Sequence, residues 1–169
     1  MKFVNLEHIH NYICLDLNPG ATNPTLYKEN LKRDKVKFVR ANAESIPFPD
    51  DYFDLSTSLC VLAHVENPNL TFQELLRVTR SGGRIVITMP CDPGILNRAV
   101  KAIVTYPKMK KLRIRKPKLL NAYEHRNSIH HLLQFADEVF GECKVRRKYL
   151  PFFFPSWNFN LFITYVIDV

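Results

Sequence analysis

Two kinds of apolar run alternate along this chain. Short continuous runs bounded by turn residues predict buried strands at Tyr12–Asp16, Val36–Arg40, Phe53–Leu62 and Arg84–Met89. Two further strands are predicted at the end of the chain, Cys143–Leu150 and Asn160–Ile167. Between the strands the spacing lengthens to the helical repeat. Asn23 to Leu31 predicts a short helix with Pro24 in its first turn. Asn67-Pro68 reads as the cap and first turn of a second helix, with the stripe Leu70, Leu75, Leu76 and Val78 running to Thr79 and Gly82-Gly83 ending it. Leu96 to Val104 predicts a third. Asn127 caps a fourth, with Ile129, Leu132, Leu133, Ala136, Val139 and Phe140 on one face. The order β-α-β-β-α-β predicts an α/β domain: a doubly wound, mostly parallel sheet with helices on its faces. Two strands after the last helix imply an antiparallel closing pair at one edge.

Composition changes this picture in one place. The 169 residues fit a single domain over 1–169, with 46% hydrophobic and 24% charged residues, ordinary for a soluble globular chain. The net charge is +8. Nine basic residues between Pro93 and Tyr123 (Arg98, Lys101, Lys108, Lys110, Lys111, Arg113, Arg115, Lys116 and Lys118), with no Asp or Glu among them, account for it: 8 − 9 leaves −1 elsewhere. The segment over about 93–126 therefore reads as a basic insertion. No apolar run is long enough for a transmembrane helix, and the first residues lack a signal peptide's apolar core. Cys14, Cys60, Cys91 and Cys143 are widely spaced with no CxxC pair, which suits reduced thiols in a cytoplasmic protein.

Candidate chemistry sits at strand ends. Asp16, at the tip of its strand, is placed to accept hydrogen bonds from ribose hydroxyls, although an Asp before Asn18-Pro19-Gly20 is also a plain turn former. Asn42-Ala43 follows the next strand, where a side-chain oxygen and a backbone N–H suit an adenine edge. Together Asp16, Asn42-Ala43, Ile46-Pro47-Phe48, Phe53-Asp54-Leu55, His64-Val65, Glu74, Arg77-Val78 and Gly82-Gly83 resemble the class I S-adenosylmethionine-dependent methyltransferases, in the type 11, ubiquinone/menaquinone-biosynthesis-like branch. The resemblance covers roughly residues 10 to 92 and implies a Rossmann-like fold with S-adenosyl-L-methionine as cofactor. It implies that Asp16 and Leu17 hold the ribose, that Asn42, Ala43 and Ile46 frame the adenine, and that Ser58 and Leu59 line the methionine end. Glu74 and Arg77 are read as bracing the helix. Asn42 stands where the family usually carries Asp, and Ser81 where it carries Pro.

The family's first strand and its glycine-rich loop, where only glycine lets the backbone approach the cofactor, have no counterpart here. Met1-Lys-Phe-Val-Asn-Leu aligns with the helix after that loop, so the fold is expected to be N-terminally truncated. A central slot with unpaired N–H and C=O groups is costly. Three outcomes are open: the flanking strands close up, a partner chain (a second copy included) fills the gap, or the sequence is a fragment of a longer enzyme.

His64, just past the strand ending at Leu62, is the one candidate catalytic residue, as a general base; packing under the site floor is the alternative. His130 and His131 are adjacent and point to different helix faces, so no metal site is expected. The basic segment and the connector Phe152-Phe153-Phe154-Pro155-Ser156-Trp157 fit either an anionic substrate or peripheral contact with an anionic membrane, or else a solvated face and a packed loop. Nucleic acid is disfavoured, since no RNA-binding signature accompanies the charge. The expected function is methyl transfer to a small-molecule or lipid-like acceptor, impaired if the missing strand and loop are essential. The alternative is a non-catalytic methyltransferase-like remnant or interaction module.

Overall fold

The computed structural model describes residues 10–19 and 35–169; the helix expected over 23–31 lies outside the described residues. The chain divides into two compact units, residues 1–47 and residues 48–169. In the first, β1 (Tyr12–Asp16) and β2 (Val36–Arg40) pair in parallel, with Tyr12 opposite Val36 and Asp16 opposite Arg40. The pairing continues past the strand ends: Ala41 N–H donates to the Asp16 carbonyl at 3.1 Å and Arg40 Nε to the Leu17 carbonyl at 3.0 Å. Both strand tips are thus held at one end of this small sheet.

The second unit is built on β3 (Phe53–Leu59), β4 (Thr79–Pro90), β5 (Lys144–Leu150) and β6 (Phe162–Asp168), in the order β3-β4-β6-β5. β3 and β4 are parallel, while β6 runs antiparallel to both β4 and β5, as the closing pair was expected to do. Alternation sorts the side chains. Ser56, Ser58, Ile85, Ile87, Met89, Ile163, Tyr165 and Ile167 are all buried, on one face. Helices α1 (Pro68–Val78) and α5 (Ile129–Val139) supply Phe72, Leu75, Val78, Ile129, Leu132 and Ala136 to the same core. Phe72 meets Phe140 edge to face at 5.6 Å between ring centres. Burying a side chain of that size contributes about 1.5–3 kcal/mol. On the opposite sheet face Leu55 and Leu59 stay exposed.

Four local features depart from the sequence expectation. β3 stops at Leu59 rather than Leu62, because Cys60 adopts φ +60° and turns the chain at once. α1 passes into β4 directly at Thr79, so Gly82-Gly83 does not end the helix. The glycines instead form a bulge: Phe53 pairs with Thr79 but Leu55 already pairs with Arg84. Gly82 sits at φ +76°, and a Cβ on Gly83 would lie 2.7 Å from the Arg80 carbonyl oxygen. The helix expected over Leu96–Val104 runs further, as α2 (Ile95–Val100), a wider π turn (Lys101–Thr105) and α3 (Tyr106–Lys111) in succession. The π turn falls just before Pro107, whose missing N–H interrupts the regular ladder. A further helix, α4 (Pro117–Glu124), follows. Finally, Ser128 rather than Asn127 stands at the N-cap position of α5, with no side-chain cap hydrogen bond.

Candidate cofactor and acceptor site

Within the first unit Asp16 stands at the carboxyl end of β1, exposed, with one carboxylate oxygen accepting Asn18 N–H at 2.7 Å. That bond closes an Asx turn and orients the group. An exposed carboxylate at the end of a parallel strand is the acceptor that paired ribose hydroxyls require, so its chemistry fits the adenosine part of the expected cofactor. Leu17 beside it is exposed. Beyond β2, Asn42 Oδ1 accepts Glu44 N–H at 3.1 Å and the Asn42 carbonyl accepts Ser45 N–H at 3.1 Å. One lone pair of the amide oxygen is therefore used by its own turn, and an amide oxygen has two. Ala43 and Ile46 are half-buried along the same turn.

In the second unit the interest lies at the carboxyl ends of β3 and β4, the end where ligands bind in open parallel sheets. Ser58 faces the core, and its Oγ is buried with no hydrogen-bond partner among the described residues. Leu59 points to the other face, 63% exposed. Cys60 N–H donates to the Thr88 carbonyl at 2.8 Å, and the chain then turns through Val61–His64, closed by His64 N–H to the Val61 carbonyl at 2.9 Å.

This turn is bolted to the segment before α5. Arg126 and Asn127 N–H both donate to the Ala63 carbonyl, at 2.9 and 3.2 Å. The Asn127 side-chain amide donates to the Leu62 carbonyl at 2.9 Å and to the Val65 carbonyl at 2.8 Å. His64 Nδ1 bonds the Glu124 carbonyl at 2.8 Å, and its exposed ring meets His125 edge to face with centres 4.9 Å apart. At the end of β4, Asp92 forms an ion pair with Lys101 and stands 3.0 Å from His125 Nδ1. The latter is a close contact lying off the line of a well-formed hydrogen bond. The His125 ring and then the Lys101 ammonium hold the Asp92 carboxyl down, at about 2, against the opposing effect of burial.

Sequence reasoning named His64 as a candidate but did not connect it with Asp92, Lys101 and His125, which the structure gathers beside it. The available signal was Asp92 itself, an acid just beyond the end of a parallel strand and just before a long acid-free basic window. Elsewhere, Arg77 braces α1 as expected. It bonds Glu74 bidentately at 2.7 and 2.8 Å and reaches the Asp50 carboxylate at 2.7 Å and the Phe48 carbonyl at 2.9 Å. Among the described residues no group of three or more His, Cys, Asp or Glu is close enough to hold a metal, and no helix is long and apolar enough to cross a membrane.

A family model described as a methyltransferase domain matches residues 2–87, just over half of the chain. The chain belongs to the methyltransferase domain family. It is 41% identical over 54 residues to a ubiquinone/menaquinone biosynthesis C-methyltransferase of Pectobacterium carotovorum, an alignment spanning 32% of this chain and 22% of that one. It is 36% identical over 84 residues to a demethylmenaquinone methyltransferase of Paenarthrobacter aurescens, spanning 44% of this chain and 33% of that one. The chain thus spans at most a third of these relatives' lengths. Among solved structures, an S-adenosylmethionine-dependent methyltransferase of Mesorhizobium loti superposes with a TM-score of 0.63 at 15% identity, covering 95% of this chain and 81% of that one. This likeness shows the fold: a Rossmann-like methyltransferase domain with mixed strands.

Proposed function

We propose that this methyltransferase-family chain transfers a methyl group from S-adenosyl-L-methionine to a small, lipid-like acceptor. The observation that carries the reading is the family match together with an exposed Asp16 carboxylate at the carboxyl end of β1. Asp16 and Leu17 hold the ribose, Asn42, Ala43 and Ile46 frame the adenine, and the strand end at Ser58 and Leu59 lines the methionine end. When bound, the cofactor supplies an electrophilic sulfonium methyl. The chain's own contribution is alignment and exclusion of water, which supply most of the rate in a direct displacement and need little acid–base chemistry beyond one group at the acceptor. His64 is the candidate for that group.

The lipid-like acceptor is supported by the relatives' printed names and by the basic helices. A cleft of about 640 Å³ between them is lined by Tyr106, Lys110, Lys116, Lys118 and Leu119, with no acid among its walls. Ile103 and Leu112 are exposed nearby, and Phe153 is 86% exposed in the aromatic connector. Buried Asn160 shapes that connector by accepting Phe152 N–H at 2.9 Å and donating to the Phe154 and Ser156 carbonyls at 3.1 and 2.8 Å. Exposed lysines and exposed aromatics suit peripheral contact with an anionic membrane, from which a lipid-like acceptor would be drawn. The test is labelled methyl transfer from S-adenosylmethionine to a demethylated menaquinol in anionic vesicles. Transfer that disappears in Asp16→Ala is expected. No transfer in any vesicle, with binding of the cofactor absent as well, would refute the reading.

A further inference from the structure

The cluster at the ends of β3 and β4 has a direction. A carbonyl oxygen can only accept, so the 2.8 Å contact from His64 Nδ1 to the Glu124 carbonyl requires the proton on Nδ1. In the neutral ring Nε2 is then bare, on an exposed residue, and no described side chain or backbone group is placed on it. The residue after Glu124, His125, contacts both Asp92 and the His64 ring. Asp92 is fixed in turn by Lys101, whose side chain is 11% exposed and whose pairing joins the π turn to the end of β4. In the turn after β3 and the segment before α5 the remaining charges are the Arg126–Glu66 pair at 3.0 Å, with exposed Glu124 adjoining them.

A buried ion pair is a poor source of net stability, because desolvation offsets the attraction. Positioning gives such a pair a use that stability does not. We propose that His64 Nε2 takes the proton shed by a protic acceptor, a phenolic or enolic hydroxyl or an activated ring C–H, and that Asp92, Lys101 and His125 are positioning residues for it. This rests on the methyltransferase reading above. The acceptor's electron pair forms the bond to the methyl carbon, the carbon–sulfur bond breaks with its pair kept by sulfur, and the acceptor's proton passes to Nε2 and then to water. A tertiary amine has no proton to give and is excluded as the acceptor class.

The test begins without cofactor. Nitrogen-15 spectra of the histidine-labelled full chain, with His64 assigned through H64Q, should show His64 as the Nδ1–H tautomer with Nε2 unprotonated. Asp92→Asn and His125→Phe should shift it toward a mixture with the Nε2–H form. The second variant keeps an aromatic ring against His64, so it serves if the first does not fold. An Nε2–H tautomer in the unaltered chain, or a signature unmoved in a folded variant, overturns the proposal. With S-adenosylmethionine added, methyl transfer to a quinol probe should fall about 100-fold or more in His64→Ala and recover in part with free imidazole. Transfer to a tertiary amine probe, or a quinol rate untouched by His64→Ala, overturns it too. Binding of S-adenosylhomocysteine reports separately on the reading beneath. Binding without the tautomer signature refutes this proposal alone, whereas the signature without binding removes the reaction and the proposal with it.

Discussion

Asn127 separates two accounts of the segment before α5. As a helix cap it would use its side-chain oxygen as an acceptor, and Asp would serve as well as Asn. In the structure the side chain acts as a double donor, to the Leu62 and Val65 carbonyls at 2.9 and 2.8 Å, while Ser128 occupies the cap position. Asn127→Ala deletes both bonds. At about 1 kcal/mol each the loss is about 2 kcal/mol, and at about 2–4 °C per kcal/mol for a chain of this size the melting point falls by about 4–8 °C. Asn127→Asp is nearly isosteric, yet it sets a carboxylate against two carbonyl acceptors, so the loss should exceed that of Ala. Its carboxyl would titrate above the usual carboxylate range in the folded state. The extra destabilisation therefore grows as pH rises above about 4 and shrinks on acidification, when a protonated carboxyl regains one donor. Urea unfolding of the three proteins at neutral pH, with unchanged m-values, is the assay. The ordering wild type, then Ala, then Asp is expected. An Asp variant as stable as wild type would restore the capping account and refute the bolted turn.

Three further outcomes follow from the same geometry. Gly83→Ala should destabilise by about 1–3 kcal/mol, because its Cβ would press on the backbone oxygens of Arg80 at 2.7 Å and Asp54 at 3.1 Å; Gly82→Ala, with nothing within 4 Å, should lose about 1 kcal/mol from its φ of +76° alone. Equal effects in thermal melts would contradict the bulge. Asp92, held at about 2 in the fold, contributes stability that is present above the ordinary carboxyl value near 4 and lost as pH falls toward 2. Asp92→Asn should flatten that limb of a pH–stability curve, and an unchanged limb would mean that the pairing with Lys101 and His125 contributes nothing. Binding to anionic vesicles should weaken with added salt and with Phe153→Ser, whereas equal binding to neutral and anionic vesicles would remove the membrane contact.

The strands were legible because apolar and β-branched residues recur along them between turn residues, and β1, β2, β5 and β6 start or stop within a residue or two of where their patterns do. The closing antiparallel pair followed from two strands after a last helix. Gly82-Gly83 was misread for a physical reason: a glycine pair after an apolar stripe meets the needs of a helix end and of a bulge equally well, and only the pairing of Leu55 with Arg84 decides between them. Asn127 was misread likewise, since an Asn before a helix offers either its oxygen or its NH₂, and the choice depends on carbonyls that arrive from the turn after β3. Asp16 in the first unit and His64 in the second each stand at or just past a strand end, and so were visible as candidates. Asp92, Lys101 and His125 were not, because what unites them is a contact among the end of β4, a π turn and the segment before α5. The basic window was visible as charge, yet one of its nine members, Lys101, is buried and paired.

The proposed activity requires that this chain hold S-adenosylmethionine through the carboxylate at the end of β1. Calorimetric titration of the 169-residue chain with S-adenosylhomocysteine, alongside Asp16→Ala, tests it most directly. Saturable binding that Asp16→Ala weakens by tenfold or more, about 1.4 kcal/mol, is the predicted result. Absence of binding, or binding indifferent to Asp16→Ala, would contradict it.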